Sequence, residues 1–206
     1  MILKYWTKTK RLSYISLDNV VWGVLPVRTL HHMYPFAMEQ EISVSQAEEL
    51  FRELEKRAWW ILTDYLAKAE HSEKQCRMLL ARHSFHTDIA DKCIALCKEK
   101  GYLDDSRFAE LYIRSLQEKG KSPRMISQKL KEQGIAGEIA QELLSALDDP
   151  AGREEQLQEQ ISRLLHKYRE LQPFKAKEKI FASLYRKGFS PEDIYTAFRE
   201  VQKDND

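Results

Sequence analysis

The sequence predicts a mainly α-helical protein built from tandem three-helix modules, with a small N-terminal β-hairpin extension. Three observations lead to this fold class. Apolar residues recur with a helical period from about residue 45 onward. A set of apolar positions recurs along the chain at intervals of about 50 residues. Only 7 glycines and 6 prolines occur, which is too few for a turn-rich all-β fold.

The predicted N-terminal extension covers residues 1–42 and contains the hairpin. The stretch LSYISLDNVVWGVLPVRTL holds two runs rich in β-branched and aromatic residues. Asp18 and Asn19 separate the runs and tolerate the positive φ angles of a two-residue turn. Pro26 restricts the second run to a sheet edge or to its own end. Because an isolated hairpin is only marginally stable, we expect it to pack on the helices or on a partner.

Residues 43–101 form the first predicted module. Its first helix is predicted to begin with a capping box made by Ser45 and Glu48. A second helix starts at Ser72, and a third covers about 87–100. The apolar face of the first helix carries Ala47, Leu50, Phe51, Leu54, Ala58, Ile61, Leu62, Tyr65 and Leu66.

Two further modules are predicted over residues 102–149 and 150–206. Ser122 is predicted to cap a helix that has Pro123 at its first position. The helices of these two modules cover about 105–119, 123–132, 137–148, 153–171, 174–187 and 191–203.

The three copies share their apolar positions. Leu80, Leu130 and Leu184 coincide when the chain is aligned with itself. A glycine, Gly134 or Gly188, stands at the break before the last helix in two copies, and Ser84 stands there in the first. The other equivalent sets are Cys76, Ile126 and Ile180; Phe85, Ile135 and Phe189; Cys93, Leu143 and Ala197; Ile94, Leu144 and Phe198; and Cys97, Leu147 and Val201.

The 3 cysteines therefore occupy core positions, since each aligns with apolar residues in the other copies. Cys93 and Cys97, with His83 and His86 nearby, could also suggest zinc, but their order is not a recognised zinc spacing. We therefore predict no metal and no cofactor. An odd number of cysteines also favours a reducing cytosol over a disulfide framework.

The sharp break at Gly101 separates the first two modules. Gly101 is predicted to end a helix in the left-handed conformation. Asp104 or Asp105 is then predicted to cap the next helix, because a carboxylate is stabilised by the free N–H groups at a helix start. Adjacent catalytic carboxylates are the alternative, but the local sequence supplies no partner acid or base.

Aromatic residues around this break are predicted to be structural. Trp59 and Trp60 cannot both face one core, so one is expected to be partly exposed, where it either packs beneath the hairpin or stacks on a base. Tyr102, Phe108 and Tyr112 fit core spacing.

Charge is nearly balanced, at a net +1, so no global field attracts nucleic acid or membranes. No apolar run approaches the roughly 20 residues that a membrane helix needs. The clearest basic segment spans residues 114–131, where Glu118 is the only acid. It is either a solvated helix face or a partner-binding surface. Its candidate binding residues are Arg114, Lys119, Lys121, Arg124, Lys129 and Lys131, and weaker candidates are Arg77, Arg82, Arg186 and Lys187.

The segment GYLDDSRFAELYIRS, residues 101–115, followed by Lys119-Gly120-Lys121 and Pro123-Arg124, resembles the central signature of the RecX family of bacterial recombination regulators. The segments LKEQGIAGEIAQELL and LYRKGFSPEDIYTAF resemble the recurring turn of that family. The chain departs from the family pattern at Glu73, where a base is common, and this removes a basic contact from the first module.

The resemblance implies a non-enzymatic regulator of the RecA recombinase. Family members are elongated, curved bodies of tandem three-helix modules. They bind the RecA–single-stranded-DNA filament and limit its growth, ATP hydrolysis and strand exchange, which regulates recombination and DNA repair. We therefore expect a cytoplasmic, monomeric protein that has no membrane segment and contacts DNA weakly if at all.

Two alternatives stay open: a nonspecific DNA-binding helical protein, and a helical-repeat scaffold for another protein partner. A three-helix unit resembles a helix-turn-helix, but the helices that would read bases, at 137–149 and 191–201, are acidic or mixed. Weak, salt-dependent DNA contact by residues 114–131 is compatible with the sequence. An enzyme is disfavoured because no phosphate loop, nucleophile elbow or zinc-protease motif occurs.

Overall fold

The computed structural model of the chain describes residues 1–35, 38–146 and 149–203. Over these residues the protein is mainly α-helical, with a small antiparallel sheet at its N-terminus. The predicted fold class of tandem three-helix modules behind a β extension is confirmed. The chain divides into two compact units, Met1–Asp105 and Ser106–Asp206, which are described separately below.

The N-terminal sheet has 4 strands in the order β3-β2-β1-β4, all paired antiparallel. The predicted hairpin is its β2–β3 pair, and Asp18 and Asn19 form the turn with φ angles of 47° and 67°. Pro26 ends the edge strand β3, as its missing N–H requires. The strands are β1 (Ile2–Thr9), β2 (Leu12–Leu17), β3 (Val20–Pro26) and β4 (Glu39–Glu41).

Three elements of this region were not predicted: β1, β4 and the short helix α1, Val27–Met33. The hairpin alone was therefore an incomplete description. Along β1, Leu3 and Tyr5 are buried while Lys4 and Trp6 point to the other face, which is the alternation of a strand that covers a core on one side. The residues after Pro26 coil into α1 and do not continue the strand.

The sheet packs on three helices: α2 (Val44–Leu66), α3 (Glu73–Arg82) and α4 (Thr87–Glu99). The predicted apolar face of α2 is confirmed, because Leu50, Leu54 and Leu62 are fully buried. The predicted cap of α2 was wrong by two positions: Ser43 and Gln46 form the capping box. The predicted helix start at Ser72 is confirmed, and Ser72 is the cap of α3.

The second unit contains six helices in the described residues and two cores. One core joins α5 (Asp105–Glu118), α6 (Pro123–Glu132) and α7 (Gly137–Ala146) around Ile113, Ile126 and Leu130. The other joins α8 (Pro150–Lys167), α9 (Pro173–Tyr185) and α10 (Pro191–Lys203) around Ile161 and Ile180. These bounds agree with the predicted helices within a few residues.

The equivalent apolar positions are buried or half-buried in every copy where the structure describes them; Leu147 lies outside the described residues. All three cysteines are buried free thiols, as predicted. Burial raises the pKa of Cys76 to about 12, and that of Cys93 and of Cys97 to about 11. Such thiols pack as small apolar groups and are poor nucleophiles or metal ligands.

The break before the last helix of each copy needs a left-handed residue. Gly134 and Gly188 have φ angles of 81° and 95°, and Ser84 adopts 66° at the equivalent position. The repeat therefore preserves the backbone conformation even where its sequence lacks glycine. This position is unfavourable for serine, because a side chain costs about 1–2 kcal/mol in this region.

The predicted roles around Gly101 are refined by the structure. Gly101 has the expected left-handed φ of 69°. Asp105 is the first residue of α5, and its carboxylate accepts a hydrogen bond of 2.8 Å from the backbone N–H of Glu73, at the start of α3. It therefore caps a helix of the first unit, and Asp104 stands directly before α5.

Several aromatic and apolar side chains are more exposed than their spacing predicted. Tyr102 is 51 % exposed, because it follows the left-handed glycine and helical spacing no longer applies to it. Phe108 is buried as predicted, and the half-buried Tyr112 stacks on it at 5.4 Å between ring centroids. Trp60 is 65 % exposed and Trp59 is half-buried, so the prediction that one of the two is partly exposed is confirmed.

Candidate partner-binding surface

The predicted basic segment lies on α5, on α6 and on the connection between them. Lys119 and Arg124 are exposed, whereas Lys121 is half-buried. Lys129 pairs with Glu132 at 2.7 Å, and the hydrogen bond with this carboxylate raises the pKa of Lys129. The remaining two candidates, Arg114 and Lys131, are exposed on α5 and α6.

The connection between α5 and α6 is a rigid turn. Gly120 has a positive φ of 65°. Ser122 caps α6 by accepting a hydrogen bond of 3.2 Å from the backbone N–H of Met125, and Pro123 takes the first helical position, as predicted. Lys121 is held between these two fixed residues, so its backbone position is set by local structure.

Packing within the second unit brings this turn against the break between α9 and α10. The backbone N–H of Ser122 donates a 3.0 Å hydrogen bond to the carbonyl of Lys187. A Cβ on Gly188 would lie 2.5 Å from the hydroxyl oxygen of Ser122, so only glycine permits this approach. Two of the predicted binding residues, Lys121 and Lys187, are therefore neighbours although they are far apart in the sequence.

Three cations form what we call the basic cluster: Lys121, Arg163 and Lys187. The pKa of Lys187 is lowered by burial and by the positive charges of Lys121 and Arg163. Its ammonium donates a hydrogen bond to the side-chain oxygen of Gln160 on α8. Arg163 also contacts Glu159, whereas neither lysine has a carboxylate within ion-pair distance in the described part of the chain.

Arg163 and Gln160 were missed by the sequence analysis. Arg163 stands one helical turn after Glu159, which is the spacing of an ordinary surface ion pair on a helix. Gln160 is one of few buried polar side chains, and helical periodicity alone does not identify it. Only the packing of α8 beside the turn at Lys121 reveals their role.

The weaker candidates differ from one another. The guanidinium of Arg186 donates to the carbonyl of Ala182 within its own helix at 3.2 Å. In the first unit, Arg77 is held by Glu73 at 2.7 Å and also contacts Asp91, which leaves little of its charge for a partner. Arg82 is exposed at the end of α3.

A groove of about 480 Å³ adjoins the basic cluster and is lined by Ser122, Arg124, Glu154, Gly188 and Asp193, among others. Its wall therefore mixes both charge signs. No set of three or more His, Cys, Asp or Glu side chains is placed to hold a metal ion within the described ranges. Over the same ranges, no helix has the length and apolar character that spanning a membrane requires.

Sequence comparisons identify the chain's relatives. The model described as "RecX, second three-helix domain" matches residues 104–144, and "RecX, third three-helix domain" matches residues 153–198. The regulatory protein RecX of Streptococcus pyogenes serotype M5 is 33 % identical over 204 residues, covering 97 % of this chain and 76 % of that protein. RecX of Streptococcus mutans serotype c is 27 % identical over 202 residues, covering 96 % and 76 %.

Solved structures show the same fold. A crystal structure of a regulatory protein RecX matches with a TM-score of 0.64 at 20 % identity, covering 96 % of this chain and 99 % of the other. The crystal structure of RecX from Lactobacillus salivarius matches with a TM-score of 0.60 at 24 % identity, covering 72 % and 96 %.

Proposed function

Because the chain belongs to the RecX family of regulatory proteins, we propose that it binds the RecA–single-stranded-DNA filament and inhibits its growth, ATP hydrolysis and strand exchange. The protein thereby modulates recombination and DNA repair in the cytoplasm. It acts as a monomeric binding protein, not as an enzyme, and uses no cofactor. Its working parts are the predicted modules 43–101, 102–149 and 150–206 behind the extension.

The observation that carries this proposal is the basic cluster. Like charges repel, so cations held side by side without full compensation favour the approach of carboxylates from a partner. Lys121 and Lys187 come from different predicted modules and meet only in the folded chain. A partner that bridges them therefore recognises the folded arrangement, which a single basic helix could not offer. Lys119 and Arg124 flank this position and extend the positive surface.

The test is the triple substitution Lys119→Ala, Lys121→Ala and Arg124→Ala. Each exposed ion pair contributes about 0–1 kcal/mol, and about 1.4 kcal/mol is a tenfold change in affinity. We therefore expect filament binding to weaken by about tenfold, because three such pairs are lost together. Binding is measured by inhibition of RecA ATPase activity on single-stranded DNA.

The matched control is the triple substitution Lys56→Ala, Lys68→Ala and Lys92→Ala. It removes the same amount of positive charge, and each of these lysines belongs to a surface ion pair. Lys56 lies on α2, Lys68 just after α2 and Lys92 on α4. This control should inhibit RecA as the wild type does, and both variants should keep their helicity and melting temperature. Equal potency of the wild type and the Lys119/Lys121/Arg124 variant would remove these three cations from the binding surface.

The partner itself is tested by a pull-down at moderate salt. The purified protein should retain RecA assembled on single-stranded DNA, and it should retain much less RecA when the DNA is omitted. Failure to capture the assembled filament would contradict the proposed function as a whole.

A further inference from the structure

The N-terminal sheet carries an aromatic and basic surface that the proposed function does not use. Residues 1–17 contain Lys4, Lys8, Lys10 and Arg11 and no acidic residue. The acids of this region stand where β1 begins: Asp18 accepts a hydrogen bond of 2.7 Å from the backbone N–H of Ile2, and Glu39 pairs with Lys4 at 3.1 Å. The other end of β1 carries Lys8, and Lys10 and Arg11 follow it in the sequence.

Two aromatic rings are displayed on the face of the sheet opposite to Leu3 and Tyr5. Trp6 stands directly across from Tyr14 in the β1–β2 register. Their rings stack with centroids 5.5 Å apart and planes inclined by 29°. Trp6 is 43 % exposed, so much of its indole faces solvent, whereas Tyr14 is half-buried beneath its neighbours.

One cation contacts this ring pair, and two more follow it along the chain. The ammonium of Lys8 lies 4.9 Å from the centroid of the Tyr14 ring and donates a hydrogen bond of 3.0 Å to the hydroxyl of Ser84. Lys10 and Arg11 are exposed in the turn that follows. None of these three has a carboxylate within ion-pair distance among the described residues.

The positive potential extends to the end of α3. The pKa of His83 is lowered by burial and then by the charges of Lys8, Arg57 and Arg82. Lys8 and Arg82 are thus close enough to act on the same imidazole. Lys8, which lies against the ring of Tyr14, therefore also lies near the cations at the end of α3.

We propose that this face, which we call the Trp6 platform, binds single-stranded nucleic acid, with a base stacked on Trp6 and phosphates held by Lys8, Lys10 and Arg11. Proteins bind single-stranded nucleic acid by combining aromatic rings with cations. The rings stack on the exposed bases, and the cations neutralise the phosphates of the backbone. Bases stacked inside a duplex have no free face to offer the indole of Trp6, so double-stranded DNA fits poorly. An acidic protein would use the cations but would leave the exposed indole without a partner.

The experiment uses the full chain without RecA, so its outcome is independent of the proposed function. Fluorescein-labelled oligothymidine and oligouridine, each of about 20 nucleotides, exceed the roughly 4–16 nucleotides of one single-strand site. Binding is followed by fluorescence anisotropy as a function of salt. Trp6→Ala should weaken binding by about 5- to 150-fold, the equivalent of about 1–3 kcal/mol for one stacked base. Trp6→Phe, which keeps a ring, should restore most of the affinity.

The matched control is Trp60→Ala, which removes another highly exposed indole from the same unit and should leave binding unchanged. A double variant, Lys10→Gln with Arg11→Gln, should reduce the slope of log affinity against log salt by about 1.4, at about 0.7 per lost phosphate contact. Equal affinity of wild type and Trp6→Ala for both oligonucleotides would overturn the proposal. Tighter binding of polyglutamate than of either oligonucleotide would also overturn it and would assign the platform to an acidic protein.

Discussion

Substitution of Gly188 by alanine tests the packing that creates the basic cluster. Gly188 has a φ of +95°, and a Cβ there would lie 2.5 Å from the hydroxyl oxygen of Ser122 and 2.6 Å from the Cβ of Met125. Both atoms belong to the start of α6, where Ser122 also acts as the helix cap. The methyl group would therefore push the α9–α10 break away from the turn that holds Lys121.

The expected cost has two parts. A side chain in the left-handed region costs about 1–2 kcal/mol, and forcing a methyl group into a filled space costs about 1–3 kcal/mol. We expect Gly188→Ala to lower the free energy of unfolding of the second unit by about 2–5 kcal/mol. Displacement of Lys187 from Lys121 should in addition raise the pKa of Lys187, because burial and a nearby like charge both lower it now.

Two control variants separate these contributions. Gly101 has a φ of +69°, but a new Cβ there would have no atom within 4 Å. Gly101→Ala should therefore lower the free energy of unfolding of the first unit by only about 1 kcal/mol. In Gly137→Ala, in the second unit, the new Cβ would have no atom within 4 Å, and the φ of Gly137 is not in the left-handed region. This variant should therefore change the free energy of unfolding by less than about 1 kcal/mol. Urea denaturation followed by circular dichroism gives each value from the transition of the unit concerned. If Gly188→Ala proves no more destabilising than Gly101→Ala, the close approach of the two turns is wrong.

Two further predictions concern the first unit. Ser84→Gly should be more stable than Ser84→Ala by about 1 kcal/mol, because both variants lose the hydrogen bond with Lys8 but only glycine relieves the φ of 66°; equal urea midpoints of the two variants would contradict this. The buried thiols should lower the free energy of unfolding as pH rises above 9.0, the ordinary pKa of a cysteine thiol. The unfolded chain loses these protons first, because burial raises the pKa of Cys76 in the folded chain to about 12. The urea midpoint should therefore decrease as pH rises from 9.0 to about 11, the folded pKa of Cys93 and Cys97, and it should decrease less steeply in Cys93→Ala. Chelators should leave the melting temperature unchanged. A melting temperature that depends on metal would return these cysteines to a metal site.

Helix starts were predictable where the cap is local. Ser72 and Ser122 each cap a helix through a backbone N–H only three residues away, so a short window of sequence contains the whole interaction. At α2 two overlapping capping boxes compete, and the choice is not local. The N–H of Ile42 bonds to the carbonyl of Met1 at 2.9 Å, which fixes the chain at the sheet and favours the earlier cap at Ser43.

The repeat predicted the core but not the surface. Equivalent core positions obey one constraint in every copy, because each must fill the same space between three helices. Surface positions are under no such packing constraint. Lys187, for example, aligns with Gln133 and His83, so the repeat does not mark it as a basic position. The meeting of Lys121 and Lys187 depends on how two helix connections pack, and no spacing in the sequence expresses that distance.

The strand β1 shows a different limit. Its polar alternate positions resemble a basic segment of no fixed structure until a partner strand is known. Once β2 pairs with it, Leu3 and Tyr5 close the core and the same register sets Trp6 against Tyr14. The Trp6 platform thus follows from the pairing of two strands that are neighbours in the sequence, and its aromatic content alone would not have distinguished it from core.

Both proposed surfaces lie beside the same position of the repeat. The residue that precedes the left-handed break is His83 in the first copy and Lys187 in the third, and the pKa of each is lowered by burial and by neighbouring cations. The short connection between the two helices keeps this residue close to the element that packs against it. That element is β1, with Lys8, in the first unit, and it is the α5–α6 turn, with Lys121, in the second. On the two proposals above, the packing neighbour, and not the repeat, decides which anionic ligand each copy meets. An aromatic strand beside the break favours a nucleic-acid strand, whereas a helix connection that places a second lysine beside the break favours carboxylates of a protein.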